Sequence, residues 1–341
     1  MKRSVLVGAL IGAVVVAGGL VLAFRPSSQS PGATPENGAA TASLAAELSA
    51  KADVYDVAFS PDGRNVAVSS KDGTVRLWDT GTRQEVGPPF TGISRDESPL
   101  PLAFSPDGRT LATGGTSARL WDVASRQPLG ALSDPAAVVP RPVQALAFSP
   151  DGRLVATGGF SETRLWEVSN HRPLGKPFAR GMFSLSFSPD SRTLAAGGLK
   201  GASLWTVADQ QQIGEPLAQG DWILGVDFSP DGRVLAMAGG VAVDNGVRLW
   251  DPASRRLIGK PFGHGVGGVA FSPDGRKLAT VGGSASDGGH DESARLWDVT
   301  SQQQIGAPLD RGILKVAYSS DGRHLATASG GPSARLWDLS G

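Results

Sequence analysis

Seven times along this chain an aromatic residue opens the run Phe-Ser-Pro-Asp-Gly-Arg or a near copy of it. Each time a tryptophan follows in an Arg-Leu-Trp-Asp-like run. The first run begins at Phe59, Phe104, Phe148, Phe228 and Phe271. Phe187 starts a copy with Ser191 in place of glycine, and Tyr318 starts one with Ser320 in place of proline. The tryptophans are Trp78, Trp121, Trp166, Trp205, Trp250, Trp297 and Trp337, leaving only Trp222 outside the pattern. Successive aromatic starts lie 45, 44, 39, 41, 43 and 47 residues apart. A period of this length decides the fold, because it marks one supersecondary unit that buries its apolar face only against its neighbours.

Within a copy the chemistry reads as four strands. Val57 and Phe59 alternate with polar or small residues, and Ser-Pro-Asp-Gly makes a tight turn in which proline sets φ and glycine accepts a positive one. A second strand (as at Leu111) and a third (Ala118 to Asp122) follow. The fourth carries Val86 to Phe90 or Leu174 to Phe178. Prolines at 89, 177, 216, 261 and 308 suit an outer edge, where an amide donor is dispensable. Four strands in each of seven copies predict a closed ring of blades. The last copy stops four residues after Trp337, without a fourth strand. Leu44 and Leu48 share the spacing of Ile305 and Leu309, so an N-terminal strand is expected to complete the last blade and close the ring.

The two spaced signatures resemble the WD-repeat (tryptophan-aspartate repeat) family of β-propellers, in its bacterial type with an N-terminal membrane anchor, and the resemblance covers Leu44 to Gly341. It implies an all-β, seven-bladed β-propeller with four antiparallel strands per blade, and a protein-interaction role. Glu167 and Thr206 depart from the family's aspartate after tryptophan. The family's Gly-His dipeptide ahead of the phenylalanine is nearly absent, and Gly263-His264 sits two residues too close to its phenylalanine, which puts in doubt the buried His–Asp network of some members.

Ahead of the repeats, Lys2 and Arg3 precede an uncharged stretch from Ser4 to Phe24. As a helix rising ~1.5 Å per residue it would span ~31 Å, the thickness of a bilayer's hydrocarbon core. The expected organisation is a signal anchor or transmembrane helix over 1–24, a disordered Pro/Ser/Gly/Ala linker over 25–41 and the propeller over 42–341. The basic end stays cytoplasmic, which puts the propeller on the extracytoplasmic side of a single-pass protein. Cleavage of the segment as a signal would instead release a secreted domain.

Composition removes most alternatives. With 32 basic side chains balancing 32 acidic ones, no bulk field attracts nucleic acid. No cysteine means no disulfide, thiolate metal site or cysteine catalysis, and four histidines leave little for imidazole chemistry. No Gly-x-Ser-x-Gly run and no repeated histidine ligand pattern appears, so neither catalytic residue, cofactor nor metal is assigned. The loop Asp287 to Glu292 offers ligands for a hard cation, but too few for one flexible loop to converge.

Comparing the repeats with one another identifies a binding face. The aromatic-to-strand-two distance is always seven and the tryptophan-to-strand-four distance always eight, so the bottom turns are fixed in length. Every long connection falls on the opposite, top face, and insertions gathered on one face mark a binding face. Four residues before each aromatic stand Tyr55, Leu100, Gln144, Phe183, Leu224, Gly267 and Leu314, a largely apolar ring at a wet mouth with Trp222 close by. Arg141, Arg180, His264 and Arg311, seven before, could form a cationic arc for a carboxylate or phosphate. The bottom-face arginines, each two residues after an aspartate of the same turn, are expected to be neutralised by it. The expected function is a membrane-tethered, extracytoplasmic scaffold that binds protein partners on its top face. A sensor for a small ligand or cell-envelope polymer is the alternative. A propeller hydrolase or lyase is a third reading, for which Asp56, Asp221 and Asp227 supply the only acidic groups placed in the channel.

Overall fold

The computed structural model describes residues 42–93, 100–133, 142–218, 222–239, 246–263, 267–282 and 293–339. These form seven antiparallel sheets and no helix. The innermost strands are Val54–Phe59, Leu102–Phe104, Ala145–Phe148, Met182–Phe187, Ile223–Phe228, Gly268–Phe271 and Lys315–Tyr318, which begin blades 1 to 7. Each contacts the next, and the seventh contacts the first, so the ring is closed. The apolar segment Ser4 to Phe24 lies outside the described residues, among which no helix is long and apolar enough to cross a membrane.

Two positions explain how a blade packs. The apolar residue seven after each aromatic lies directly across from the motif tryptophan, as in Val66 opposite Trp78 and Leu325 opposite Trp337. The next residue is alanine in all seven blades (Ala67, Ala112, Ala156, Ala195, Ala236, Ala279 and Ala326), each with no exposed surface. Because successive strand side chains point to opposite faces, the residue facing the tryptophan and the alanine beside it lie on opposite faces of each blade, the alanine across from a leucine, as in Ala67 and Leu77. Ala67 packs against Leu111 and Trp121 of blade 2, Ala279 against Leu325 and Trp337 of blade 7, and Ala326 against Val66 of blade 1.

Five blades carry four hydrogen-bonded strands. In blades 1 and 4 the fourth segment pairs through isolated bridges, Trp78 to Glu85 and Val75 to Phe90 in one, Trp205 to Gln212 and Ala202 to Leu217 in the other. Backbone bonds lie between them, such as Val86 N–H to the Leu77 carbonyl at 2.8 Å and Ile213 N–H to that of Leu204 at 2.7 Å. Pro88 and Pro89 remove two amide donors from the blade 1 segment. The outer strand of blade 7 is Ala42–Ser49, paired antiparallel with Ser333–Leu339. The expected closure is present in a different register. Leu44 lies opposite Trp337, as Gln304 does opposite Trp297, and Leu48 lies opposite Ala334, as Asp310 does opposite Ala294. A bulge at Ala45 turns Leu44 outward, 49% exposed, while Leu48 is 1% exposed.

The bottom-face turns are seven copies of one network. The serine hydroxyl donates to the aspartate at 2.6 Å in every turn, from Ser60 and Asp62 to Ser319 and Asp321. The arginine that follows gives its backbone N–H to the same carboxylate, at 3.1 Å for Arg64 and 3.0 Å for Arg323. The backbone bond thus joins the expected charge pairing, in which each arginine also helps hold its aspartate below the ordinary carboxyl value, while the guanidinium groups stay exposed. Among the described residues Arg153 and Arg233 come within 3.9 Å of their aspartates. Where serine replaces glycine the turn persists, Ser191 taking φ 61°.

A second bottom device joins neighbouring blades. Five residues after the tryptophan the side chain reaches back to the carbonyl of the preceding blade's fixed apolar residue. Arg126 donates to Val86 at 2.7 Å, Gln210 to Leu174 at 2.6 Å, Arg255 to Ile213 at 2.9 Å and Gln302 to Ile258 at 3.1 Å. The outer strands receive it at a glycine of positive φ, such as Gly175 at 66°, where a Cβ would lie 2.5 Å from Gln210 Oε1.

The tryptophans divide into two classes. In blades 2, 3, 6 and 7 the indole N–H donates to a threonine nine after the aromatic, at 3.0 Å (Trp121 to Thr113), 2.8 Å (Trp166 to Thr157), 2.9 Å (Trp297 to Thr280) and 3.1 Å (Trp337 to Thr327). In blades 1, 4 and 5 that position holds Val68, Ala196 and Met237, and Nε1 of Trp78, Trp205 and Trp250 is buried without a partner. Val68→Thr should therefore stabilise the domain by about 1 kcal/mol, and Thr113→Val should cost about 1–3 kcal/mol. Calorimetric melting of the two variants checks this, and shifts of the same sign would defeat the assignment.

Candidate functional site

The seven inner strands enclose a central cavity of about 410 Å³, lined by Asp56, Leu102, Gln144, Phe183, Leu224, Asp227 and Lys315 among others. Its walls are stitched across blade boundaries by polar side chains. Asp56 of blade 1 accepts the Leu102 N–H of blade 2 at 2.9 Å. Asp227 of blade 5 accepts the Phe271 N–H of blade 6 at 2.8 Å and the Ser186 hydroxyl of blade 4 at 3.1 Å. Ser184 Oγ accepts the Val226 N–H at 3.0 Å. Inner-strand amides face no further strand, and these side chains satisfy them.

Burial dominates the electrostatics of both acids. Desolvation raises the Asp56 carboxyl above its usual range, with the nearby Lys315 and the Leu102 and Val57 amides opposing. Desolvation pushes Asp227 up to about 6 against three hydrogen bonds, with no cation among its neighbours' effects. The bottom turns behave oppositely. In Asp62, Asp107, Asp190, Asp231 and Asp274 the serine hydroxyl leads in holding the carboxyl below its ordinary value. Both channel acids bridge blades, which is a structural use of their oxygens. Asp221, the third expected acid, lies outside the described residues, as does the loop Asp287 to Glu292. Among the described residues no group of three or more His, Asp or Glu side chains is placed to hold a metal ion.

The apolar ring expected at the mouth is smaller than its seven offsets suggest. Leu100 is 1% exposed, because its carbonyl accepts the Ser69 hydroxyl at 2.9 Å and folds the segment onto blade 1. Tyr55 packs half-buried against the core shared by blades 1 and 2. Gln144 leaves its side-chain carbonyl oxygen buried without a partner. What faces solvent is Leu224 at 39% and Leu314 at 45%, with Phe183 and Trp222 half-buried. Arg180 and Arg311 are exposed at the entries of blades 4 and 7, three blades apart around the ring, so the structure does not bring these two together. Arg141 and His264, the other members of the expected arc, lie outside the described residues.

One contact escaped the repeat comparison. Phe160, in the turn between the second and third strands of blade 3, is 39% exposed and meets Phe183 of blade 4 edge to face, with ring centres 5.0 Å apart and planes at 75°. The only signal in the sequence is its place twelve residues after Phe148, where other copies hold Lys71, Thr116 or Leu199.

A family model described as WD domain, G-beta repeat, matches residues 42–79, 136–166, 212–251, 255–298 and 302–338. Among curated proteins, a segment of 82 residues is 38% identical to Coronin-7 of Mus musculus, covering 22% of this chain and 9% of that protein. A segment of 71 residues is 35% identical to WD repeat-containing protein 1 of Gallus gallus, covering 20% of this chain and 12% of that one. Transducin beta-like protein 2 of Mus musculus is 41% identical over 78 residues, 21% of this chain and 18% of its own length. The chain thus matches less than a fifth of each of these relatives.

Proposed function

The chain belongs to the WD-repeat family, whose propellers typically serve as protein-interaction scaffolds, and from that premise we propose that it binds protein partners on the top face while tethered to a membrane. The observation that carries the reading is the pair of exposed leucines at the channel mouth, Leu224 and Leu314, beside the half-buried Phe183 and Trp222. Apolar side chains gathered at a wet opening gain by being covered. The exposed cations Arg180 and Arg311, on separate blades of the rim, would contribute to the polar surround of such an interface, with Arg141 and His264 as further expected members. The tether is supported by the uncharged stretch Ser4 to Phe24 after Lys2 and Arg3, which also favours an extracytoplasmic propeller.

Proteolysis of intact and lysed cells, followed through a C-terminal tag, tests the placement. Loss of a full-length tag from intact cells is the expected result, and protection until lysis would overturn it. Cross-linking in the same cells tests the face: Leu224→Asp with Leu314→Asp should abolish partner capture, and undiminished capture would remove the mouth from consideration. The cavity of about 410 Å³ supports a second reading, a sensor of a small polar ligand, since it lies in the size range of ligand sites. Binding of cell-wall fragments without any protein partner would favour it.

A further inference from the structure

We infer that the outer top edge of blade 3, beside its junction with blade 4, is built to take an extended acidic segment of a partner protein, with one large apolar side chain of that segment seated against Phe160, which Phe183 holds in place. This rests on the top-face reading above and names the chemistry of the partner.

The site is a concave opening of about 850 Å³, walled by Phe160, Glu162, Arg164, Lys176, Phe178 and Arg180. Its origin is a strand irregularity. Thr163 pairs with Ala179 and Leu165 with Leu174, so four residues of the outer strand stand opposite Arg164 alone and bow away from the blade. Gly175, at φ 66°, permits the bend. On the inner side two turns from different blades are locked together. The Gly181 N–H lies 3.0 Å from the Gly159 carbonyl and 3.2 Å from that of Phe160, and the Met182 N–H donates to Gly159 at 3.2 Å. Phe160 is therefore fixed on Phe183 before any partner arrives, and ordering it costs a partner little.

The charges around the opening are lopsided. Arg164 is spent on Glu162, Nε to Oε1 at 3.0 Å. Lys176 and Arg180 are exposed and make no ion pair with any described carboxylate. Two cations without an acidic partner among the described residues, beside an aromatic wall, complement a segment in which acids flank a bulky apolar residue. An anionic membrane would also attract two cations. A bilayer presents a flat surface, however, and Phe160 and Phe178 line a recess.

The test uses the full chain in a neutral detergent and two fluorescein-labelled synthetic peptides, Asp-Glu-Leu-Phe-Asp-Glu and its charge-reversed partner Lys-Arg-Leu-Phe-Lys-Arg. Anisotropy should show saturable binding of the acidic peptide alone, weakening as salt rises. Lys176→Glu with Arg180→Glu, and separately Phe160→Ser, should each weaken it at least about tenfold with an unchanged melting temperature. The double glutamate variant should gain affinity for the charge-reversed peptide. Equal binding of both peptides, no saturable binding, or binding only to phosphatidylglycerol vesicles would overturn the inference. In cells, capture lost in the Leu224→Asp, Leu314→Asp variant but intact in Phe160→Ser would sink this site alone. Capture intact in both would sink the top-face reading with it.

Discussion

Removing Ala42–Ser49 should abolish the cooperative unfolding of the propeller as a whole, although the segment is only 8 residues long. It is the outer strand of blade 7, and its Leu48 sits in one core cluster with Val57 and Val66 of blade 1. Loss of the strand uncovers the edge of Ser333–Leu339 and empties the Leu48 site at the seam where the ring closes. The Leu48 side chain alone is worth about 2–5 kcal/mol by truncation to alanine. A domain's total stability is only about 5–15 kcal/mol. Deletion adds the lost ladder bonds and an unpaired edge prone to aggregation. The Arg335 link, Nε to Glu47 Oε1 at 3.2 Å, contributes less because Glu47 is mostly exposed. Leu48→Ala should lower the melting temperature clearly, while Leu44→Ala should stay within about 0.5 kcal/mol of the parent. An unchanged melting curve for the deletion would mean that the ring closes without that strand.

That contrast between two leucines marks the boundary of what the sequence reveals. The blade count, the turn chemistry and the residue opposite each tryptophan follow from fixed offsets, because a pleated strand alternates its faces and a Ser-Pro-Asp-Gly turn fixes the register on either side. The bulge at Ala45 does not follow. It depends on how the outer strand meets the twist of its neighbour, and it reassigns Leu44 to solvent. The same limit applies at the mouth. Leu100 and Leu224 share an offset, yet a hydrogen bond from Ser69, in another blade, draws the Leu100 segment inward. Phe160 and Phe183 meet because turns of two blades exchange backbone bonds, a contact that no spacing within one repeat encodes. The two classes of tryptophan were legible in principle, as threonine or an apolar residue nine after the aromatic. Only the geometry says that this position is the indole's acceptor.

Asp227→Asn should raise the melting temperature at pH 7 and remove part of the domain's pH dependence. The carboxyl is held near pH 6 in the folded channel, against an ordinary value of 3.8 in the open chain. Below about pH 4 it is protonated in both states and carries no preference between them. As pH rises from about 4 to about 6 the unfolded chain ionises and the folded one resists, so stability falls across that window and is level above it. A difference of about two pH units corresponds to about 3 kcal/mol, an upper figure for an acid bordering a water-accessible channel. Asp56 is displaced in the same direction and adds to this limb. The turn aspartates, held below their ordinary value, act on the other side. Their contribution is present at neutral pH and is lost as pH falls through their lowered folded values. The two limbs oppose each other, so these groups favour the fold more on the acid side of neutrality than at pH 7. Asparagine keeps an oxygen for the Phe271 N–H without a charge to bury, so the variant's advantage should be about 1–3 kcal/mol at pH 7 and vanish at pH 4. Melting temperatures of parent and variant at half-unit steps from pH 4 to pH 7 measure the difference directly. A variant less stable than the parent at pH 7 would mean that the ionised carboxylate, with its three hydrogen bonds, is what holds blades 4, 5 and 6 together.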